Sequence, residues 1–222
     1  MEAHVFQRMA ELDATHWWFV ARRNILEKVI ERDAQLPKDA RILEIGCGTG
    51  RNLIILAKKH PKARFFGLDA SAAMLKTAQG KADTKNLKNI TFKTALAGDF
   101  TFDQTFGLNE KFDVCFFSYA VSIIPPWRES LENAWQNLKS GGNLYIVDFY
   151  DQKDLPVWFQ KVLKSWLRQF HVKYPEDLVP FLHAWERQGA GKLKISPLYR
   201  RYSLIADFHK TTSELPAEIS QS

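Results

Sequence analysis

Residues 41–52 read RILEIGCGTGRN. Arg41 to Ile45 form an apolar strand that carries a single carboxylate, Glu44, just before its end. Glycine then falls on every second position, at Gly46, Gly48 and Gly50, and a helical pattern runs from Gly50 to His60. A strand that ends in such a turn and enters a helix brings backbone close to a ligand, and the first N–H groups of the helix face it. The dinucleotide fingerprint is G-x-G-x-x-G/A, with a small sixth residue where helix and strand touch. Here the sixth position is the bulky Arg51. A carboxylate two residues before the first glycine serves a pyrophosphate poorly and a cation well.

Outward from this turn, strand-like runs alternate with helical ones. A helix beginning near His16 continues through Asn24 to Arg32. ARFFGL (Ala63 to Leu68) is a second strand, followed by a helix with Ser71 as its N-cap. NITFKT (Asn89 to Thr94) is a third and FDVCFFS (Phe112 to Ser118) a buried fourth. A helix spans Trp127 to Leu138, Gly141-Gly142 ends the turn after it, and NLYIVDF (Asn143 to Phe149) is a fifth strand. Such alternation predicts parallel strands joined by crossover helices, with any ligand along one sheet edge. After Phe149 two helices are expected, Leu155 to Phe170 and Glu176 to Gln188. Two strand-like runs follow, Gly191 to Ser196 and Tyr199 to Phe208, and then a polar tail.

Acids recur at the strand ends. Asp69, in GLDAS, stands about twenty residues past the glycine loop, where a carboxylate accepts both hydroxyls of a ribose. Asp99, in AGDF, follows the third strand and suits an adenine amino group, with Phe100 or Leu96 against the ring. Taken together, the ligand that fits is S-adenosylmethionine, whose sulfonium and ammonium are offset by Glu44.

Composition bounds the rest. The chain has 222 residues, about one domain's worth, and a net charge of +6. A basic protein meets something anionic, but charge alone does not choose among nucleic acid, lipid headgroups and phosphorylated metabolites. Cys47 and Cys115 lack metal-ligand spacing and read as free thiols in a reducing compartment. The six histidines show no ligand spacing either, so no metal is expected. The N-terminal residues lack the apolar segment of a secretory signal, and the apolar run Val114 to Ile124 is too short to span a bilayer. A cytoplasmic location is the expectation.

This constellation resembles the class I S-adenosylmethionine-dependent methyltransferases over roughly Asp39 to Phe149, with LEIGCGTG as its specific core. The resemblance implies an α/β, Rossmann-like doubly wound fold: a mostly parallel seven-stranded sheet with an antiparallel last strand. It implies a helical lid at 1–38, the methyltransferase domain at 39–210 and a polar tail at 211–222. Glu44, Gly46, Cys47, Gly48 and Gly50 would line the methionine side. Asp69 and Ala70 would hold the ribose, Asp99 and Phe100 would lie by the adenine, and Ser118-Tyr119 would face the transferred methyl. With GTGRNL, the stretches SYAVSIIPPW, GGNLYIVDF and LPVWFQKVLKSWLRQFHV look like the betaine-lipid N-methyltransferases, which methylate the homoserine amine of a diacylglyceryl lipid. By contrast, THWWFVARRNIL (Thr15 to Leu26) looks like a general methyltransferase lid.

Between Leu155 and Phe170, Trp158, Phe159, Val162, Leu163, Trp166, Leu167 and Phe170 share one helical face, opposite Lys161, Lys164 and Arg168. That pattern fits peripheral contact at the inner membrane surface, and equally a crossover helix packed on the sheet. Tyr119, His171 and Asp148 are the candidate bases. Trp17, Trp18, Phe19, Tyr119 and Tyr150 could offer aromatic faces to a methylated cation. Arg22 and Arg23 could meet a carboxylate or phosphate. The acceptor is then a lipid headgroup or a soluble small molecule such as a quinone precursor. Nucleic acid is not expected, because SYAV stands where amino-methylating enzymes of that kind carry Asn or Asp, two prolines and an aromatic residue. A non-catalytic ligand-binding module is the remaining alternative.

Overall fold

The computed structural model describes residues 39–158, 160 and 174–212. Among these residues seven strands and four complete helices follow one another: β1 (Arg41–Ile45), α1 (Arg51–Lys59), β2 (Arg64–Asp69), α2 (Ala72–Thr84), β3 (Ile90–Thr94), β4 (Phe112–Ser118), α3 (Trp127–Gln136), β5 (Leu138–Phe149), α4 (Leu178–Arg187), β6 (Gly191–Leu198) and β7 (Ser203–Lys210). They build one sheet in the order β3-β2-β1-β4-β5-β7-β6. Strands β1 to β5 are parallel, and β7 lies antiparallel to both β5 and β6. The expected architecture is therefore observed, including its antiparallel last strand.

The pleat sends alternate side chains to opposite faces. Ile42, Phe65, Val114, Phe116 and Val147 join Leu53 and Leu56 of α1 and Leu75 of α2 in one apolar cluster. Leu43, Phe66, Cys115, Phe117 and Ile146 join Leu131 and Trp135 of α3 and Leu182 and Trp185 of α4 in the other. Each fully buried side chain of this size stabilises the fold by about 1.5–3 kcal/mol. Both layers are thus fixed by the central strands, which read as unbroken apolar runs because both of their faces are covered.

Two expected boundaries move by four residues or more, the others by two or fewer. Strand β5 starts at Leu138 and runs through Gly141-Gly142, where the sequence implied a turn. The pairing with β4 shifts register there, from Phe112–Leu138 to Val114–Asn143, and Gly141 takes a φ of +79°. The glycines make a bulge inside a strand rather than an end to one. The last strand begins at Ser203, not Tyr199, because Tyr199, Arg200 and Arg201 are all left-handed, with φ of 48°, 57° and 61°. They form the β6–β7 turn. Residues 1–38, His171 and most of the 155–170 helix lie outside the described residues, as does the tail beyond residue 212. The start of that helix is described, with Gln160 N–H donating to the Pro156 carbonyl at 3.0 Å.

Candidate active site

The glycine loop hooks over the end of the neighbouring strand. The N–H groups of Gly46 and Cys47 both donate to the Leu68 carbonyl, at 2.8 and 3.0 Å. Gly46, Gly48 and Gly50 take φ of 72°, 53° and 67°, the left-handed region that side chains disfavour. Their surroundings differ. A Cβ at Gly46 would lie 2.8 Å from the Ala120 methyl, and one at Gly50 would lie 2.8 Å from the Phe92 ring. A Cβ at Gly48 would meet nothing within 4 Å among the described residues. Two of the glycines therefore serve packing, and Gly48 alone borders open space. Gly50 caps α1 without a side-chain hydrogen bond.

Two carboxylates frame the loop. Glu44 is 1% exposed and accepts from Asn52 Nδ2 at 2.6 Å. Asp69 accepts from Gly48 N–H at 2.7 Å and from Ser71 N–H at 2.8 Å. It ties the loop to the mouth of α2, and each oxygen keeps a lone pair for a ligand hydroxyl. Burial raises the Asp69 pKa above the usual carboxylate range, and the two N–H bonds oppose that rise. Cys47 lies between the acids, buried, and its thiol is pushed well up by burial and then by Glu44 and Asp69. It is held neutral and is no nucleophile. Ala70 is exposed beside Asp69.

Beyond β3, Asp99 is exposed as the adenine reading requires, but Phe100 is not available to a ligand. Its ring is 2% exposed and packs at 6.5 Å on Phe106 in the core, while Leu96 remains 64% exposed. The cause lies at the end of α3: Asn133 and the C-cap Asn137 each donate an amide N–H to the Phe100 carbonyl at 3.1 Å and fix this loop. Of the two side chains offered for the adenine face, Leu96 is the one at the surface.

The residues read for the acceptor side lie where β4 and β5 end and β7 begins. Ser118 closes β4 and is buried. Tyr119, at φ 54°, extends the ladder through its N–H to the Val147 carbonyl at 2.7 Å. Its ring stands edge-on to Phe149 at 5.1 Å. Asp148, fully buried, accepts from Ser122 N–H at 3.0 Å and Phe149 N–H at 2.7 Å. It fastens the loop after β4 to β5, a positioning task rather than that of an open base. The Tyr150 ring carries the Arg201 guanidinium 4.4 Å over its face and meets Tyr174 edge-on at 5.9 Å. One face of the Tyr150 ring is thus already taken by a cation inside the protein. Trp17, Trp18, Phe19, Arg22, Arg23 and His171 lie outside the described residues.

Asn52, Asn133 and Ser122 were not singled out in the sequence; each acts across elements, at separations that leave no local pattern. Among the described residues, no group of three His, Cys, Asp or Glu could hold a metal ion. No helix among them is long and apolar enough to cross a membrane.

The seven-stranded sheet, with its open glycine loop flanked by acids, defines a Rossmann-like nucleotide-binding α/β class. Residues 36–194 match the family described as "Methyltransferase domain", and the chain belongs to that family. A trans-aconitate 2-methyltransferase of Deinococcus radiodurans is 34% identical over 107 residues, covering 48% of this chain and 37% of that protein. A demethylmenaquinone methyltransferase of Staphylococcus carnosus is 29% identical over 140 residues, covering 63% of this chain and 55% of that protein. The chain thus spans about half the length, or less, of these relatives. A solved Methanococcus maripaludis protein, described as an S-adenosyl-L-methionine-dependent methyltransferase, superposes with a TM-score of 0.68 at 20% identity, over 95% of this chain and 94% of that one. The match places a methyltransferase domain over most of this chain.

Proposed function

We propose that the chain transfers the methyl group to a small-molecule acceptor bound at the carboxyl ends of β4 and β5. The single observation that supports this most is the open side of Gly48, with buried Glu44 beneath it and Asp69 bonded to its N–H. Glu44 and the first-turn N–H groups of α1 would receive the methionine end, Asp69 the ribose and Leu96 the adenine face. Bound S-adenosylmethionine supplies an electrophilic methyl on a positively charged sulfur. The chain's residues position the acceptor in line with it and exclude water. Ser118 and Tyr119 would border the transferred methyl, and Asp148 would hold the loop that carries them.

Calorimetry of the purified chain with S-adenosylmethionine tests the site. Wild type should bind, and Gly48→Arg should fold and not bind. A Gly48→Arg variant that binds as wild type would put the cofactor elsewhere.

A second reading, amine methylation of a lipid headgroup by a peripherally bound enzyme, is favoured by one observation. Val157 and Trp158, which open the basic amphipathic segment, are 66% and 69% exposed. Incubating lipid and aqueous extracts with methyl-labelled donor separates the two. Label in the organic phase supports the lipid, and label confined to water supports the soluble acceptor.

A further inference from the structure

Among the described residues the large apolar side chains that stand exposed are Leu96, Val157, Trp158 and Tyr199, and all of them lie past the carboxyl ends of strands, after β3, β5 and β6. Leu96 is the side chain read for the adenine face. The other three belong to two segments that are bonded to each other. Tyr150 N–H donates to the Tyr202 carbonyl at 3.0 Å, and Gln152 N–H donates to the Arg201 carbonyl at 2.9 Å. Leu155, two residues before Val157, packs against the same apolar cluster as Leu198 and Tyr202.

The β6–β7 turn holds residues that its backbone disfavours. Tyr199, Arg200 and Arg201 take φ of 48°, 57° and 61°, where glycine or asparagine sits freely. Arg201 has an internal use, since its Nε donates to Asp151 at 2.7 Å and its guanidinium covers Tyr150. Tyr199 and Arg200 have none. Both are exposed, and neither side chain makes a hydrogen bond, ion pair or ring contact among the described residues. An aromatic ring and a cation kept in strained backbone, with no such contact inside the protein, point to a partner outside it.

The side chains indicate its chemistry. Tyrosine and tryptophan set an apolar ring and a polar tip at a lipid–water boundary, and arginine is drawn to anionic headgroups. Lys153, Arg200 and Arg201 outnumber Asp151 and Asp154 here, and Asp151 is bonded to Arg201 and Lys153. A few separate rings beside a cation suit a fluid surface that adapts to them, whereas a protein partner needs a packed apolar centre.

We infer that the β6–β7 turn is a membrane anchor: Tyr199 and Arg200 dock, together with Val157 and Trp158, on a bilayer that carries anionic lipid. Such an anchor deepens the reading of a peripherally bound enzyme, on which it rests, and turns the carboxyl edge toward the bilayer.

Flotation of the full chain with vesicles tests it, using phosphatidylcholine alone and phosphatidylcholine mixed equally with phosphatidylglycerol. Wild type should bind the mixed vesicles at least about tenfold more tightly than the neutral ones. The double variant Tyr199→Gly, Arg200→Gly should lose at least about tenfold in affinity for the mixed vesicles. Its Tm should rise, because glycine relieves the turn, so a folding defect would not explain the loss. Donor affinity by calorimetry should be unchanged, and a joint loss would place the turn in the cofactor site instead. A wild type that does not float, or a double variant that floats as wild type does, overturns the anchor. So does a wild-type dimer in sedimentation that the double variant disperses, with no vesicle binding by either, since the turn then meets a second copy. The lipid acceptor is judged apart, by the methyl label. Label confined to water, with flotation lost in the double variant, removes the lipid acceptor and leaves the anchor. Label in the organic phase, with the double variant still floating, removes the anchor and leaves the lipid acceptor.

Discussion

Replacing Gly48 by alanine isolates the role of the loop, because a second glycine supplies a matched control. Gly48 and Gly107 both sit in left-handed backbone, at φ 53° and 67°, and a Cβ at either meets nothing within 4 Å among the described residues. Gly107 precedes β4, at the amino end of that strand and away from the cofactor edge. Alanine should therefore cost the same at both positions, about 1–2 kcal/mol of backbone strain. That corresponds to a fall in Tm of about 2–4 °C per kcal/mol for a chain of this size. At Gly50 the same methyl would also press to 2.8 Å from Phe92, which adds about 1–3 kcal/mol of overpacking. Thermal melts should then rank wild type above Gly48→Ala and Gly107→Ala together, with Gly50→Ala lowest. Calorimetry with S-adenosylmethionine should rank them differently. Gly107→Ala should bind as wild type, and Gly48→Ala should lose about tenfold to a hundredfold in affinity, because its methyl enters the side of the loop left open among the described residues. Equal donor affinity in the two variants, with equal melts, would refute the assignment of that space to the cofactor.

Four further outcomes are expected. Asn52→Leu removes the 2.6 Å donor to Glu44, and donor affinity should fall about tenfold, read by calorimetry beside a urea melt. Lys210→Met leaves the Trp135 and Leu138 carbonyls without the ammonium that donates to them at 2.7 and 2.8 Å, a loss of about 1–3 kcal/mol in urea titration. Burial pushes the Lys210 pKa down to about 8, so above that pH the folded chain has released a proton that the unfolded chain keeps up to about 10.4. Stability therefore rises across that window, and the gap between wild type and Lys210→Met should widen from pH 8 to 10, a flat gap refuting the assignment. Asp151→Ala should lower Tm at neutral pH by freeing Arg201. Arg201 holds the Asp151 carboxyl below the usual range, so that contribution should disappear, and wild type and variant converge, as acid titration passes below about pH 4. Arg200→Gly should raise Tm by about 2–4 °C, since glycine adopts the left-handed turn freely, with donor affinity unchanged by calorimetry.

What the sequence disclosed follows from how local each signal is. The bounds of β1 and β4 were read without error because buried parallel strands are short apolar runs between turn residues. The glycine loop, Glu44 and Asp69 lie within a stretch where spacing alone fixes their order. The β6–β7 turn was illegible for the opposite reason. Tyr199-Arg200-Arg201-Tyr202 has strand-like composition, and its conformation is set by Asp151, fifty residues upstream, and by the Tyr202 carbonyl that receives Tyr150 N–H. Phe100 was misjudged similarly. Nothing in AGDF tells whether the ring turns toward solvent, and two asparagines at the end of α3 decide that it does not. Asn52 answers Glu44 from eight positions away, across a strand-to-helix turn, at a spacing that no periodicity marks.

The strain in this chain is unevenly distributed, and the pattern bears on where specificity resides. Six described non-glycine residues have left-handed backbone: Asn86, Tyr119, Gln152, Tyr199, Arg200 and Arg201. All but Asn86 lie at the carboxyl edge, around the ends of β4, β5 and the start of β7. Each costs about 1–2 kcal/mol of backbone strain, and three of them are held in place by contacts to neighbouring elements. Tyr119 is held by the Val147 carbonyl, Gln152 by the Arg201 carbonyl, and Arg201 by Asp151 and Tyr150. The cofactor loop, by contrast, meets its left-handed turns with glycine. A loop that must admit a common ligand is built from the residue that adopts such turns freely. An edge that must present particular side chains keeps them despite the strain, and it is there that the acceptor would be chosen.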